Sequence, residues 1–175
     1  MIQVKDVVKS FDGNVVLDHV SADFEDGKVN MIIGQSGSGK TVLMKSMIGL
    51  HQIDEGEIVF DTRNGQQDLA GMTEKEVRLL HREVGMLFQG AALFDSMTVQ
   101  ENVMYPLEMF SDMTDEEKVE RARFCLERVN MPERAFGLMP SEISGGMQKR
   151  VAIARAIALN PKYLFCDEPN SGLDP

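Results

Sequence analysis

The feature that most constrains the fold is a glycine-rich loop at residues 34–41, which reads Gly-Gln-Ser-Gly-Ser-Gly-Lys-Thr. An almost wholly apolar run, residues 29–33, precedes it, and a segment of helical character, residues 40–50, follows it. A buried strand, a glycine-rich turn and a helix form the context in which such a loop binds phosphate. The turn directs backbone N–H groups inward, and the helix adds its positive N-terminus. The order therefore predicts an α/β protein with a phosphate-binding loop.

The loop residues are expected to hold a nucleoside triphosphate. Lys40 would neutralise the β- and γ-phosphate oxygens, and the Thr41 hydroxyl would bind Mg²⁺. The rest of the loop is predicted to surround the phosphates, and it consists of Gly34, Gln35, Ser36, Gly37, Ser38 and Gly39. An accidental match is expected in about one chain in a hundred or fewer from residue frequencies. The strand and helix around the loop make an accident less plausible still.

Composition limits the class of protein. The 175 residues are 43% hydrophobic and 26% charged, which is typical of one globular domain. The net charge of −10 argues against nucleic acid as a partner, since binding to a phosphate backbone needs basic surface. No apolar run of about 18 residues and no apolar N-terminal core occurs, so we expect a soluble, cytoplasmic chain without direct membrane insertion.

The remaining pattern alternates strands and helices. Strands are expected at residues 2–8, 15–24, 57–61 and 84–88, and a final buried strand at 163–166. Capping-box spacing predicts helix starts at Thr73, Thr98 and Thr114, and Ser144 is expected to cap another helix. We therefore predict a catalytic core at residues 1–89 and 141–175, interrupted by a helical subdomain at 90–140.

Two adjacent carboxylates follow the last predicted strand. Residues 163–166 form an apolar run, so Asp167 would lie at the C-terminal end of a buried strand, where it could meet a metal ion. Glu168 would point elsewhere and could accept a proton from an attacking water molecule. Ordinary surface acids are the alternative, but the apolar run and the upstream loop favour a catalytic pair.

A second anion site is indicated by Ser144, Gly145 and Gly146 at the start of a predicted helix. By itself this is an ordinary helix cap. It also offers a hydroxyl, exposed N–H groups and a helix dipole. One chain does not need two triphosphate sites, so we expect this one to cover the γ-phosphate held by another subunit.

The motifs and their order along the chain resemble those of the ATP-binding cassette family of nucleotide-binding domains. The resemblance covers essentially the whole sequence. Residues 34–41 resemble the Walker A loop, 143–147 the signature motif, 164–167 Walker B and 171–174 the D-loop. Gln89 resembles the Q-loop glutamine, and Glu168 the catalytic base. The resemblance implies a P-loop NTPase core, in which a mixed sheet surrounds central helices. It also implies an N-terminal antiparallel β subdomain and a helical insertion.

The resemblance also implies an activity and partners. Phe11 would stack on adenine with Val16 beside it, and Gln89 would reach Mg²⁺ or the attacking water. Together with Lys40 and Glu168, Gln89 would make the chain an ATPase that uses ATP and Mg²⁺. Two copies would form a homodimer around two ATP molecules and drive transmembrane permease subunits, with the chain peripheral at the inner face of the membrane.

A finer resemblance is to the ATPases of MCE-type lipid transporters, the bacterial Mla systems. It rests on residues 86–99, 101–103, 105–107 and 138–147. Ile143 and Met147 depart from the usual leucine and glutamine of the signature, and methionine there is typical of the lipid group. The resemblance implies phospholipid transport in a bacterial envelope. The alternatives are a soluble cassette ATPase without a permease and an exporter ATPase for lipoproteins or macrolides. A P-loop kinase or GTPase would leave residues 144–146 without a purpose.

The family places a switch histidine one strand beyond the D-loop. The three histidines, His19, His51 and His81, all precede Walker B, and we interpret them as structural or surface residues. We therefore predict a C-terminally incomplete cassette that binds ATP less well and hydrolyses it slowly.

Overall fold

The structure is a computed structural model that describes residues 1–63 and 65–168. The chain forms two compact units, Met1–His81 and Arg82–Pro175. This boundary does not coincide with the predicted limits of the helical subdomain, and that division stays a prediction. Within the described part, no helix is long and apolar enough to cross a membrane.

The order of elements alternates as the sequence predicts. The strands are β1 Ile2–Phe11, β2 Asn14–Phe24, β3 Glu55–Thr62, β4 Gly65–Asp68, β5 Val84–Leu87 and β6 Tyr163–Cys166. The α-helices are α1 Lys40–Met47, α2 Glu74–Glu83, α3 Val99–Phe110, α4 Asp115–Arg128 and α5 Gly145–Ala156. All the predicted strands but one are present, and β4 is an addition.

The first unit is built on a four-stranded antiparallel sheet in the order β2-β1-β3-β4. Apolar residues at alternate positions of β1 and β3 form its core, because successive side chains of a strand point to opposite faces. Val7, Ile58 and Phe60 are fully buried. The antiparallel β subdomain expected from the sequence is therefore present.

The predicted buried strand at residues 29–33 is wrong in this structure. All five residues are described, and none of them lies in a strand. Val29, Met31 and Ile33 are 95%, 76% and 85% exposed. An apolar run becomes a central strand only where neighbouring strands pair with its N–H and C=O groups. The four strands of the first sheet pair with one another and leave this run outside their register.

The second unit combines a parallel pair, β5 and β6, with three helices. Helices α3, α4 and α5 enclose one apolar cluster that includes Val103, Leu107 and Leu126, all fully buried. Capping boxes start α3 at Thr98 and α4 at Thr114, as predicted. In both, the threonine hydroxyl accepts a backbone N–H and a glutamate three residues later accepts the threonine N–H, so two otherwise unpaired N–H groups are satisfied.

Strand β6 is present, but only one of its two faces is covered. Phe165 lies in the core, whereas Leu164 is 50% exposed and Cys166 is exposed. The period-two alternation of a strand that is covered on one face explains the pattern. Partial desolvation raises the pKa of the Cys166 thiol, so it stays protonated at neutral pH.

Candidate functional site

The glycine-rich loop adopts a conformation that its glycines make possible. Gly37 and Gly39 have φ angles of 79° and 87°, in the left-handed region that residues with a Cβ rarely adopt. Gly39 is also the N-cap of α1. A Cβ at Gly39 would lie 3.0 Å from the carbonyl oxygen of Val16, so the loop packs directly against β2.

A β-bulge places Val16 at this contact. Lys9 pairs with Leu17 and Ser10 pairs with Val15, which leaves Val16 as the extra residue of β2. A bulge re-aims the strand locally and is common beside functional sites. The bulge therefore brings Val16, a predicted nucleotide contact, against the glycine-rich loop.

The Lys40 side chain folds back over the loop. Its Nζ donates to the carbonyl oxygens of Gly34 at 2.9 Å and Gln35 at 2.7 Å. The backbone N–H of Ser38 donates to the same Gln35 carbonyl at 3.2 Å. A charge-assisted hydrogen bond to an anionic oxygen is stronger than one to a neutral carbonyl. An anion in the loop can therefore replace the carbonyls as partner of Lys40.

The exposure of the loop suits a ligand that arrives from solvent. Ser36, Gly37 and Ser38 are exposed, and Thr41 is half-buried in the first turn of α1. With the dipole of α1 behind it, this loop provides N–H groups, an ammonium and a hydroxyl at one place.

Phe11 lies at the end of β1 and is 38% exposed. Its ring makes an edge-to-face contact with His51, with centroids 5.3 Å apart, and the Lys9 ammonium lies over it at 5.2 Å. The Lys9 ammonium in turn forms an ion pair with Asp54 at 2.7 Å. Sequence reasoning found Phe11 but missed these three neighbours. The spacing of Lys9 and Phe11, two residues apart on one strand, was the available signal.

In the second unit, the structure brings Gln89 and Glu168 together. The Gln89 Nε2 donates to the Glu168 carboxylate at 2.8 Å, across 79 positions of sequence. Both residues follow strand ends that pair in parallel, Leu87 with Cys166. Because parallel strands end at the same edge, residues that follow them meet.

The two carboxylates after β6 have different surroundings, as predicted. Asp167 is 7% exposed, and its N–H donates to the Leu87 carbonyl at 2.9 Å. Glu168 is exposed and has a φ of 46°, a left-handed conformation that is uncommon for residues with a Cβ. Such backbone strain is concentrated at functional sites.

The predicted Mg²⁺ ligands are of chemical types that Mg²⁺ accepts. They are the Thr41 hydroxyl in the first unit, and the Gln89 amide and the Asp167 carboxylate in the second. Among the described residues, no group of three or more His, Cys, Asp or Glu side chains could hold a metal ion by itself. Mg²⁺ commonly takes only one or two carboxylates and completes its shell with water and substrate phosphates.

Ser144 caps α5 as the sequence predicts. Its side chain accepts the Met147 N–H at 3.3 Å, and Ser144, Gly145 and Gly146 are all exposed. A Cβ at either glycine would meet no described atom within 4 Å. The N-terminus of α5 therefore presents open backbone to an approaching molecule. Met147 is partly buried and packs against the apolar cluster of the helices.

Sequence reasoning also missed Arg155, which joins α5 to the segment after Gln89. Its guanidinium donates to the carbonyls of Ala91 and Ala92, both at 2.9 Å. Both alanines have positive φ angles, 66° and 48°. Arg155 thus holds a strained turn two residues from Gln89. The predicted D-loop, residues 171–174, lies outside the described residues.

Comparison with known proteins decides the family. The family model described as "ABC transporter" matches residues 17–171. The chain belongs to this family. The match includes the glycine-rich loop, Gln89, the Ser144 cap and the two carboxylates, and it excludes Phe11 and Val16.

Several curated proteins are similar over the full chain. The methionine import ATP-binding protein MetN of Clostridium acetobutylicum is 40% identical over 100% of this chain and 53% of its own length. The glutamine transport ATP-binding protein GlnQ of Escherichia coli is 40% identical over 100% of this chain and 70% of its own. The probable ribonucleotide transport ATP-binding protein mkl of Mycobacterium leprae is 38% identical over 99% and 49%. The chain thus spans about half the length of MetN and mkl.

Solved structures agree on the fold. The ATP-binding cassette MJ0796, described as a dimer in a post-hydrolysis state bound to ADP and Pi, superposes with a TM-score of 0.89 at 32% identity. The match covers 99% of this chain and 76% of that one. The P-loop NTPase fold of the cassette type expected from the sequence is confirmed.

Proposed function

We propose that the chain binds Mg·ATP at residues 34–41 and is the ATP-hydrolysing part of a transporter. The observation that carries the proposal is the Lys40 ammonium, which lies 2.7 and 2.9 Å from two carbonyls of its own loop. A cation held in a turn of inward N–H groups is the arrangement that binds a triphosphate. Family membership and the ADP and Pi of the MJ0796 structure support the same ligand.

The residues divide the chemistry between them. Lys40 and the loop N–H groups hold the phosphates, and Phe11 and Val16 receive the base. Thr41, Gln89 and Asp167 are the residues that would hold Mg²⁺, which neutralises phosphate charge when bound. Glu168 accepts the proton of the attacking water, and its hydrogen bond from the Gln89 amide orients the carboxylate.

The open N-terminus of α5 supports a second copy as partner. Ser144, Gly145 and Gly146 are exposed, and the dipole of a 12-residue helix stands behind them. We propose that they contact the γ-phosphate held by another copy, and that the dimer drives permease subunits at the inner face of a cell membrane. The dimeric MJ0796 structures and the transporter relatives support both partners.

Binding of Mg·ATP tests the proposal, by calorimetry on the wild type and two matched lysine variants of α1. Lys40→Ala removes the ammonium from the loop, and we expect at least a hundredfold loss of affinity, since it removes a charge-assisted contact to phosphate. Lys45→Ala changes a lysine one turn along the same helix and is the control. Equal affinity of the two variants would contradict the proposal.

The finer proposal is that the transported molecule is a phospholipid. It rests on residues 86–99 and 138–147 and on methionine at position 147, where the usual signature has glutamine. The named functions of the curated relatives, methionine, glutamine and ribonucleotide transport, do not favour lipid. Purification of the protein with its membrane partners, followed by mass spectrometry of bound molecules, distinguishes them. Phospholipid that is enriched over the surrounding membrane supports the proposal, and a bound amino acid or nucleotide contradicts it.

A further inference from the structure

The surroundings of Phe11 form a connected group that the cassette motifs leave unexplained. Lys9 and Phe11 are two residues apart on β1, so their side chains project to the same face of the strand. The Lys9 ammonium lies 5.2 Å from the centre of the Phe11 ring. That distance is within the range of an attractive cation–π interaction.

Asp54 fixes the position of Lys9. One carboxylate oxygen of Asp54 accepts from Lys9 Nζ at 2.7 Å, and the other accepts from the Ser10 N–H at 2.6 Å. The Asp54 N–H donates to the Val8 carbonyl at 2.8 Å, so the aspartate is bound to β1 at three points. The Lys9 side chain is only 14% exposed. The hydrogen bond from Lys9 lowers the pKa of Asp54 most, and the hydrogen bond from the Ser10 N–H lowers it further. The carboxylate therefore stays charged at neutral pH.

His51 completes the group from another side. Its ring meets the Phe11 ring at 77° with centroids 5.3 Å apart, an edge-to-face contact. With Lys9 over the ring and His51 against it, Phe11 is restrained in orientation, yet it remains 38% exposed. An aromatic ring that is both restrained and accessible offers a flat surface at low entropic cost to a second aromatic group.

We propose that Lys9, held by Asp54, is a positioning residue that fixes the Phe11 ring for stacking on the base of the nucleotide. This inference rests on the proposed binding of ATP and adds a determinant of base recognition to it. Lys9 acts through Phe11, so its contribution belongs to the base and not to the phosphates. The same strand offers a matched control in Lys5, which forms an exposed pair with Glu57 of β3 at 3.5 Å.

The test compares Mg·ATP with inorganic tripolyphosphate and Mg²⁺, a ligand that keeps the three phosphates but lacks both the base and the ribose. In Lys9→Met, which keeps the apolar stem and removes the charge, we expect the affinity for ATP to fall about three- to tenfold. The affinity for tripolyphosphate should stay within about twofold, because that ligand has no base to stack. Lys9→Arg should restore ATP binding, since a guanidinium keeps both the ion pair and the cation–π contact. Lys5→Met should bind both ligands like the wild type.

A double variant tests the route through Phe11. In a Phe11→Ala background, Lys9→Met should have no further effect on ATP affinity, because the ring it positions is gone. The inference is overturned if Lys9→Met weakens both ligands equally, if it leaves ATP binding unchanged, or if its effect persists without Phe11. If the wild type binds neither ligand, the proposed function itself fails and the inference fails with it.

Discussion

Val29 and Val103 are the same residue type and both lie in apolar stretches, but their side chains differ completely in exposure. Val29, before the glycine-rich loop, is 95% exposed, whereas Val103, on α3, is fully buried. Helix α3 carries its own backbone hydrogen bonds and needs only an apolar surface to pack against. A strand needs at least one neighbouring strand to pair with its N–H and C=O groups. The comparison teaches that an apolar helix face can be buried without strand partners, whereas an apolar run is not enough to predict a strand.

The largest expected effect concerns an exposed residue that neither core uses. Glu168→Gln removes the carboxylate that we propose as the base for the attacking water, and we expect ATP turnover to fall at least a hundredfold. ATP affinity and thermal unfolding should stay near those of the wild type, since Glu168 is exposed. Glu108→Gln, another exposed glutamate of the second unit, is the control. Turnover that survives Glu168→Gln would remove Glu168 from the chemistry.

The comparison of the two valines is tested directly by truncating both. Val103→Ala removes buried methyl groups and leaves a cavity, so we expect a loss of about 2 kcal/mol in unfolding free energy. Val29→Ala should change it by less than about 0.5 kcal/mol, as is usual at the surface. Urea denaturation measures both. A large loss on Val29→Ala would mean that this residue is buried in solution.

A smaller effect is expected from the cap that starts α3. Thr98→Ala removes the hydroxyl that accepts the Glu101 N–H, with an expected loss of about 1 kcal/mol, whereas the backbone N–H of residue 98 still donates to the Glu101 carboxylate. The Thr98 N–H also lowers the pKa of Glu101, the other member of the box. The stabilisation by Glu101 is therefore present above its ordinary pKa and is lost as the pH falls through the lowered one. Denaturation at neutral and acidic pH tests this: the difference in stability between wild type and Glu101→Gln should shrink in acid.

The smallest expected effect is a titration on the surface of the first unit. The hydrogen bond that protonated His19 donates from Nδ1 to the Asp6 carboxylate, at 3.0 Å, raises the pKa of His19 above its ordinary value of 6.5. The stabilisation is therefore fully present below pH 6.5 and is lost as the pH rises through the raised pKa. An NMR titration of His19 should show the raised pKa in the wild type and a lower one in Asp6→Asn. Identical titrations would exclude the pair in solution.

Local signals in the sequence were enough for most of the architecture. The capping boxes at Thr98 and Thr114 specify their helix starts by hydrogen bonds within four residues, and the glycines of the loop specify its turn. The partners of a central strand are distant in sequence, which is why the prediction of a strand at residues 29–33 is wrong. Strand β4 pairs with its neighbour β3, but its sequence, Gly-Gln-Gln-Asp, lacks the β-branched and aromatic residues that indicate a strand. All four residues of β6 are apolar, so the sequence does not show that only one face of this strand is covered.

The candidate site shows the same difference between local signals and distant contacts. The sequence predicted Lys40, Gln89 and Glu168 by motif, but not the 2.8 Å contact that joins the last two. Lys9 and Asp54 lie 45 positions apart, and only the pairing of β1 with the segment before β3 brings them together. Contacts of this kind depend on strand register, which a single sequence specifies only weakly.

The central claim is that each nucleotide is shared between the loop of one copy and the α5 N-terminus of another. Lys40→Ala disables the first and Gly145→Asp the second, since a carboxylate there repels phosphate while the open space at Gly145 accepts a side chain. The decisive measurement is ATP turnover of a one-to-one mixture of these two variants. We predict that the mixture recovers activity that neither variant has alone, at about a quarter of the wild-type sites for random pairing. Activity equal to the sum of the separate variants would contradict the claim.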